Sequence, residues 1–393
     1  MRIALVDSNP RPAVYPLPLL KLGAWRRDLG DECKIYNFSL PAKGEFDEIW
    51  ITTLFTYNLY EAVRLAAEAT KRASKVKVGG VAATLLPDYF QHEGVEVHLG
   101  LQPEAENYVP DYSLLDEDPD YSITYASRGC VRKCKFCMVS RLEPEFRNRR
   151  DWIRDLNPRA KRILFYDNNW LAKSVEDLEY DAERIKKLQD MGQIQEVDFN
   201  QALDARLLTP EKAAILQGLK IYPLRFGFDN MGLDGIVQPA IKMMAKQGWF
   251  KFQYYTLYNY KDTPEDLYYR IKQSPILKEE NNIEVTAVPM RYHPILDVAS
   301  GRDYVGRHWS ASALKGFMTI ISRHSTSGQI STVGGSVYSA IEEFEYWFGH
   351  DEKEFIRLIN YANIRLLSNR KKGDLRRRRA AVKQALEQGG INA

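Results

Sequence analysis

Short apolar runs return at regular intervals along this chain, separated by stretches long enough to be helices. Residues 2–6 (RIALV), 33–38, 48–53, 75–78 and 95–99 read as strands, with helices over 19–29 and 57–73. Strands separated by helices argue for a parallel sheet, because a parallel pair needs a long crossover. The first run is therefore expected to form a Rossmann-like parallel sheet. An acidic, turn-rich linker over 111–121 (DYSLLDEDPDY) follows, and a second alternating run begins, with candidate strands at 123–126, 162–166, 196–200, 224–228, 252–257 and 282–288. Thr209 before Pro210 and Thr263 before Pro264 are helix-start signals, and Ser174 with Asp177 is a weaker one. Six strand–helix units suit an incomplete parallel (β/α)6 barrel. Beyond residue 294 the pattern turns helical. Ser339 with Glu342 and Asp351 with Glu354 read as capping boxes, and a basic run over 369–379 opens a terminal helix. The expected division is a Rossmann-type domain over 1–115, a partial barrel over 116–296, and a C-terminal helical region with a basic tail over 297–393.

Composition excludes little. Of the 393 residues, 45% are hydrophobic and 27% charged, and the net charge of +3 names no partner. No apolar stretch approaches the roughly 20 residues of a membrane span. The N-terminus, MRIALVDSNP, has no basic region followed by a long apolar run, so it does not read as a secretory signal. A cytoplasmic protein without membrane association is expected. Of the four cysteines, three fall within eight residues. A disulfide framework spreads its cysteines, whereas clustered thiols point to a metal site. Cys33 stands alone and reads as a packed residue.

The cluster is Cys130-Val-Arg-Lys-Cys134-Lys-Phe-Cys137, directly after the strand at 123–126. Three thiolates can ligate three irons of a cubane cluster and leave the fourth iron open to an external ligand. Structural zinc normally takes four ligands, and no histidine lies within tens of residues downstream. Arg128, Arg132, Lys133, Lys135 and Arg141 surround the thiols. Such cations favour thiolates, but for most of them a solvated basic loop is the expected role.

The C-x3-C-x2-C run, with Phe136 just before the third cysteine, resembles the signature of the radical S-adenosylmethionine superfamily. The resemblance implies that S-adenosylmethionine chelates the open iron of a [4Fe–4S] cluster. Reductive cleavage then yields a 5′-deoxyadenosyl radical for hydrogen abstraction. An electron donor such as flavodoxin or ferredoxin is implied. Later segments resemble the family in order. Asp167-Asn168-Asn169 follows the second barrel strand and resembles the turn near the cofactor's amino group; an Asx turn is the plain alternative. Gln201 and Arg206 follow the third strand, as cofactor contacts or as surface pairs. Arg225-Phe-Gly227-Phe-Asp229-Asn230 resembles the fourth strand and its polar end, and Pro289 to Pro294 the sixth. His293 is expected to line a pocket.

The first 110 residues resemble the cobalamin-binding-like domain that precedes the barrel in one class of this superfamily. The matching features are the Pro-rich loop at 15–19, Gly79-Gly80, and Gly100 with Glu104 and Glu106. The glycines would let a ligand approach backbone, or simply serve a tight turn. No Asp-x-His-x-x-Gly motif is present, and cobalamin binding stays open. If cobalamin binds, an open cavity is expected between the domains, bounded by the Pro-rich loop, the glycine turn and the barrel mouth, unless Tyr15, Phe55 and Tyr57 fill it. The absence of cysteines after Cys137 argues against auxiliary clusters, and the single N-terminal Cys33 against the methylthiotransferases. Two reactions are implied: a transferase step carrying a methyl group through cobalamin, or cobalamin-free radical chemistry. The alternative class is an iron–sulfur protein that binds nucleic acid or regulates without cleaving S-adenosylmethionine, or a radical enzyme modifying RNA. It rests on the basic tail, Arg370, Lys371, Lys372 and Arg376 to Arg379.

Overall fold

The computed structural model describes residues 1–10, 14–298, 303–324 and 341–361. The basic tail, Ser339 of the first capping box, and residues 11–13 before the Pro-rich loop lie outside them. Packing divides the chain into two compact units. The first is Met1–Trp170 with Glu183–Val197 and the described residues of Pro294–Asp303. The second is Leu171–Ala182 with Asp198–His293 and the described residues from Tyr304 on. The division expected at 115 and 296 follows sequence order. The units follow packing, and residues 1–115 share theirs with the first strands of the second run.

In the first unit, β1 (Arg2–Asp7), β2 (Glu32–Asn37), β3 (Glu48–Thr52), β4 (Lys75–Gly79) and β5 (Val95–Val97) form one sheet in the order β2-β1-β3-β4-β5. Every pair in it is parallel. Helices α1 (Leu17–Asp28), α2 (Leu59–Ala69) and α3 (Val81–Leu85) supply crossovers. The two faces of the sheet are unequal. On one, Val6, Ile49, Ile51, Val76 and Val78 pack under Leu59, Leu65, Ala82 and Phe90 in a large core. On the other, a smaller core gathers only Ile3, Leu5, Leu19, Cys33 and Trp50. Strand alternation explains the split: Val76 and Val78 point to the large core, while Lys77 and Gly79 between them face the other way. Cys33 is buried in the small core as a packing residue.

After α4 (Pro103–Glu106), β6 (Tyr121–Thr124) starts the second run. It ends two residues earlier than its sequence suggests. The Asp167 carboxylate accepts from Ala126 N (2.9 Å) and Ser127 Oγ (2.6 Å), which draws the chain off the ladder. A small antiparallel pair follows, β7 (Ser127–Arg128) with β8 (Arg147–Asn148), enclosing the cysteine loop and α5 (Val139–Leu142). β9 (Arg162–Phe165), α6 (Val175–Asp190) and β10 (Glu196–Phe199) continue the run, giving a sheet in the order β10-β9-β6. In the second unit, α7 (Pro210–Leu216), β11 (Leu224–Gly227), α8 (Val237–Lys246), β12 (Lys251–Tyr258), α9 (Pro264–Asn281) and β13 (Glu284–Arg291) form an open parallel ladder, β11-β12-β13. Leu203 bridges Phe226 in parallel beside β11. The fold is thus α/β with parallel sheets, as expected.

Among the described residues, the Thr209 and Thr263 capping signals act as read. Thr209 accepts from Lys212 N (3.2 Å), and Thr263 with Asp266 forms a full capping box on α9. α10 (Ala311–His324), α11 (Ile341–Phe348) and α12 (Glu352–Tyr361) complete the described chain. Asp351 caps α12 through Glu354 N (2.8 Å). No described helix is long and apolar enough to cross a membrane.

Candidate iron–sulfur and cofactor site

The cysteine loop leaves β7 through Gly129, whose φ of +73° suits glycine, and where a side chain would strike the Glu145 carbonyl at 2.1 Å. Gly129 N donates to Glu143 Oε2 at 2.7 Å. Cys130, Cys134 and Cys137 are each half-buried. Arg132 N points to Cys130 Sγ (3.3 Å), and Cys137 N donates to Cys134 O (3.0 Å), a compact turn that keeps the thiols on one loop. Phe136 sits half-buried between the second and third thiols.

The exit of β9 wraps this loop. Asp167 is buried and spends both oxygens on Ala126 and Ser127. Asn168 Nδ2 reaches Glu143 Oε2 (3.3 Å), and buried Asn169 directs Nδ2 to Cys130 Sγ (3.6 Å). Among the described residues no three His, Cys, Asp or Glu side chains converge on one ion-sized point. A cubane is compatible, because its thiolates bind separate irons and stand apart.

A cavity of about 460 Å³ opens on the less covered face of the five-stranded sheet. Its floor is Trp50, Lys77, Gly79, Glu96 and His98. The Lys77 ammonium lies 4.4 Å over the Trp50 ring, and Trp25 of α1 tilts against Trp50 at 6.1 Å. Leu17 and Pro18 bound one side, and Tyr125, Arg128, Leu142 and Glu143 another, so the cavity reaches the root of the cysteine loop. Arg128 stacks over Tyr125 (4.5 Å) and pairs with Glu143 and Glu106, each at 3.4 Å. Gly80, with φ +96°, carries the chain out of β4, and a Cβ there would meet the Thr53 carbonyl at 2.8 Å. Tyr15 does not fill the space. It packs on Tyr112 and Tyr121, and its hydroxyl accepts from Ile123 N at 2.6 Å. Phe55 is likewise absent from the lining.

In the second unit the strand ends carry a separate polar set. Arg225 is bidentate to Asp198 (2.7 Å twice) and also reaches Gln253 and Tyr255. Arg206 is committed to Asp204 through Nε (2.6 Å) and Nη2 (3.0 Å), while Gln201 is exposed. Burial pushes the Asp229 carboxyl up to about 6, against the pull of Arg270 and Arg206. Arg270, fully buried, donates to the carbonyls of Phe228, Asp229 and Leu257 and pairs with Asp262 at 3.1 Å. His293 is half-buried in the same unit.

Solved structures share this fold. Two are of TsrM from Kitasatospora setae, a radical S-adenosylmethionine methyltransferase. One, with cobalamin and a [4Fe–4S] cluster bound, aligns at TM-score 0.52 and 11% identity over 75% of this chain and 74% of that one. The other, with tryptophan substrate and the S-adenosylmethionine analog aza-SAM bound, aligns at 0.54 and 12% over 74% and 72%. Identity this low speaks for the fold alone. No family model and no curated protein matches the chain.

Sequence reasoning singled out the thiols and strand ends but passed over Glu143. Glu143 stands with a second acid, Glu145, between Arg141 and Arg147, so nothing local marks it. Its partners, Gly129 and Asn168, lie 14 and 25 residues away.

Proposed function

We propose that this chain is a radical S-adenosylmethionine enzyme of the cobalamin-domain type. Cys130, Cys134 and Cys137 would hold a [4Fe–4S] cluster, and the cavity on the first sheet would take a corrinoid. The observation that carries the reading is the joint between the two: one loop holds three half-buried thiols at one end and, through Arg128 and Glu143, lines the cavity at the other. The glycine pair supports it, because Gly79 leaves the floor bare and Gly80 lets the backbone turn under Thr53.

When bound, the cluster and S-adenosylmethionine supply a 5′-deoxyadenosyl radical for hydrogen abstraction, and a corrinoid supplies a transferable methyl group. The protein's own share is placement. Glu143 and Asp167 fix the loop. Asn168 and Asn169 present amides beside the thiols, and Phe136 shields them. On this reading Gln201 and Arg206 would contact S-adenosylmethionine. Methyl transfer is the reaction we infer ahead of cobalamin-free chemistry, on the open cavity and on the likeness to a methyltransferase. The electron comes from an outside donor such as flavodoxin or ferredoxin.

Anaerobic reconstitution followed by iron and sulfide analysis tests the cluster. About four of each per chain is expected, lost on Cys130→Ala, Cys134→Ala or Cys137→Ala and kept on Cys33→Ala. Tight zinc without iron uptake overturns it. Equilibrium binding of hydroxocobalamin tests the cavity. Binding that Gly79→Leu abolishes is expected, and no binding at high micromolar cobalamin sinks that half.

A further inference from the structure

His98 is the one imidazole lining the cavity among the described residues. It follows β5, and its backbone N–H donates to Val78 O at 2.8 Å, extending the ladder by one residue. That places it beside Gly79, where an added Cβ would stand 3.7 Å from His98 Cβ. Glycine therefore keeps the space next to the ring free. The ring itself is oriented: Nε2 lies 3.1 Å from the Leu101 carbonyl. A carbonyl oxygen can only accept, so Nε2 carries the proton, and in the neutral ring Nδ1 is a lone-pair nitrogen. No described residue bonds Nδ1. An imidazole that gives one N–H to a backbone carbonyl and keeps the other nitrogen bare is the arrangement found in metal-ligating histidines, where the outer bond fixes the tautomer and raises basicity.

A bare metal ion does not suit this site, since no three potential ligand side chains converge there or elsewhere among the described residues. One nitrogen suits a metal that arrives with its other ligands already in place. We infer that His98 is an axial ligand, through Nδ1, to the cobalt of a corrinoid held in the cavity. The inference rests on the corrinoid reading above and goes beyond it. The sequence lacks the Asp-x-His-x-x-Gly motif, so that reading alone predicts a corrinoid without a protein axial ligand. His98 instead offers one from the end of β5, a position that no spacing rule marks. Coordination is a dative bond in which the nitrogen lone pair fills the cobalt's open axial position, and no electron is gained or lost.

The experiment is electron paramagnetic resonance of the full chain loaded with cob(II)alamin, grown with ordinary or with [15N]histidine. A protein imidazole on cobalt splits the high-field lines into triplets, and 15N labelling turns these into doublets. His98→Ala is expected to retain corrinoid and lose the splitting. Triplets indifferent to labelling identify the corrinoid's own base and overturn the inference, as does a spectrum with no nitrogen splitting. Doublets that persist in His98→Ala assign another histidine and overturn it too. In those three cases corrinoid is bound and the cavity reading stands. Failure of the wild-type chain to bind corrinoid overturns both. The labelling result needs only wild-type protein, so it holds even where the variant folds poorly.

Discussion

The surroundings of Asp229 disturb its acid chemistry. Its carboxyl rises from an ordinary 3.8 to about 6 because burial disfavours the charged form more than Arg270 and Arg206 favour it. A carboxyl raised on folding binds more protons in the native state than in the unfolded one. Its contribution to stability is complete below about pH 4 and is lost as pH climbs to about 6. Asp229→Asn removes that loss. The variant is expected to match wild type near pH 4 and exceed it by roughly 2–3 kcal/mol above pH 6, read from urea midpoints across that range. The residue was visible in the sequence as a polar pair at a strand end. Its environment was not, because Arg270 lies on the helix α9, over 40 positions away. The same holds for Glu143, whose partners Arg128, Gly129 and Asn168 meet it only after folding. The three cysteines were legible because their chemistry is local: spacing alone puts them on one loop.

Among elements, the strands of both runs were read to within two residues at each end, except that β13 runs three residues beyond its reading. β6 is shifted by two, and the cause at its end is a side chain from the next strand's exit, Asp167, which no local pattern reveals. The glycine turn after β4 was read as a cradle or a tight turn, and the geometry separates two demands there. Gly80 has a positive φ and also a carbonyl where a Cβ would go, at 2.8 Å, whereas Gly30 after α1 has φ +86° and open space around it. Gly30→Ala therefore reports backbone strain alone, about 1 kcal/mol. Gly80→Ala adds a collision with backbone and is expected to cost about 2–4 kcal/mol, shown by a larger fall in the thermal midpoint. Equal costs would mean that the approach to Thr53 relaxes freely. The cavity itself was legible only in outline. It exists because α2 and α3 cover one face of the sheet while the other, under α1, carries the smaller core, and helix placement is a property of the assembled sheet.

At the scale of the molecule, residues 1–170 pack as one unit because a buried charge network crosses the linker. Lys21 of α1 donates to the carbonyls of Glu106 (3.1 Å) and Tyr108 (3.0 Å) and pairs with Asp155 at 3.0 Å. Asp155 also receives Arg149 and Thr124 Oγ1. Burial lowers the Lys21 pKa, opposed by Asp155. Removing one member of a buried pair leaves a charge without its partner, at about 3–5 kcal/mol. Asp155→Ala removes the carboxylate partner of Lys21, leaves Arg149 with only the more exposed Asp151, and is expected to reach that range in chemical denaturation. Lys21→Met leaves Asp155 held by Arg149 and is expected to cost less, so the order of the two tests the network.

That network also bears on descent. A linker such as 111–121 is where recombination ordinarily joins or sheds a domain, because little crosses it. Here a lysine from before the linker is satisfied by an aspartate after it. A chain that lost its first 110 residues would keep Asp155 and Arg149 shaped around a missing cation, and a new domain spliced in would have to bring its own. The sheet domain and the segment that follows the cysteine loop are therefore tied through one buried ion pair, Lys21 with Asp155.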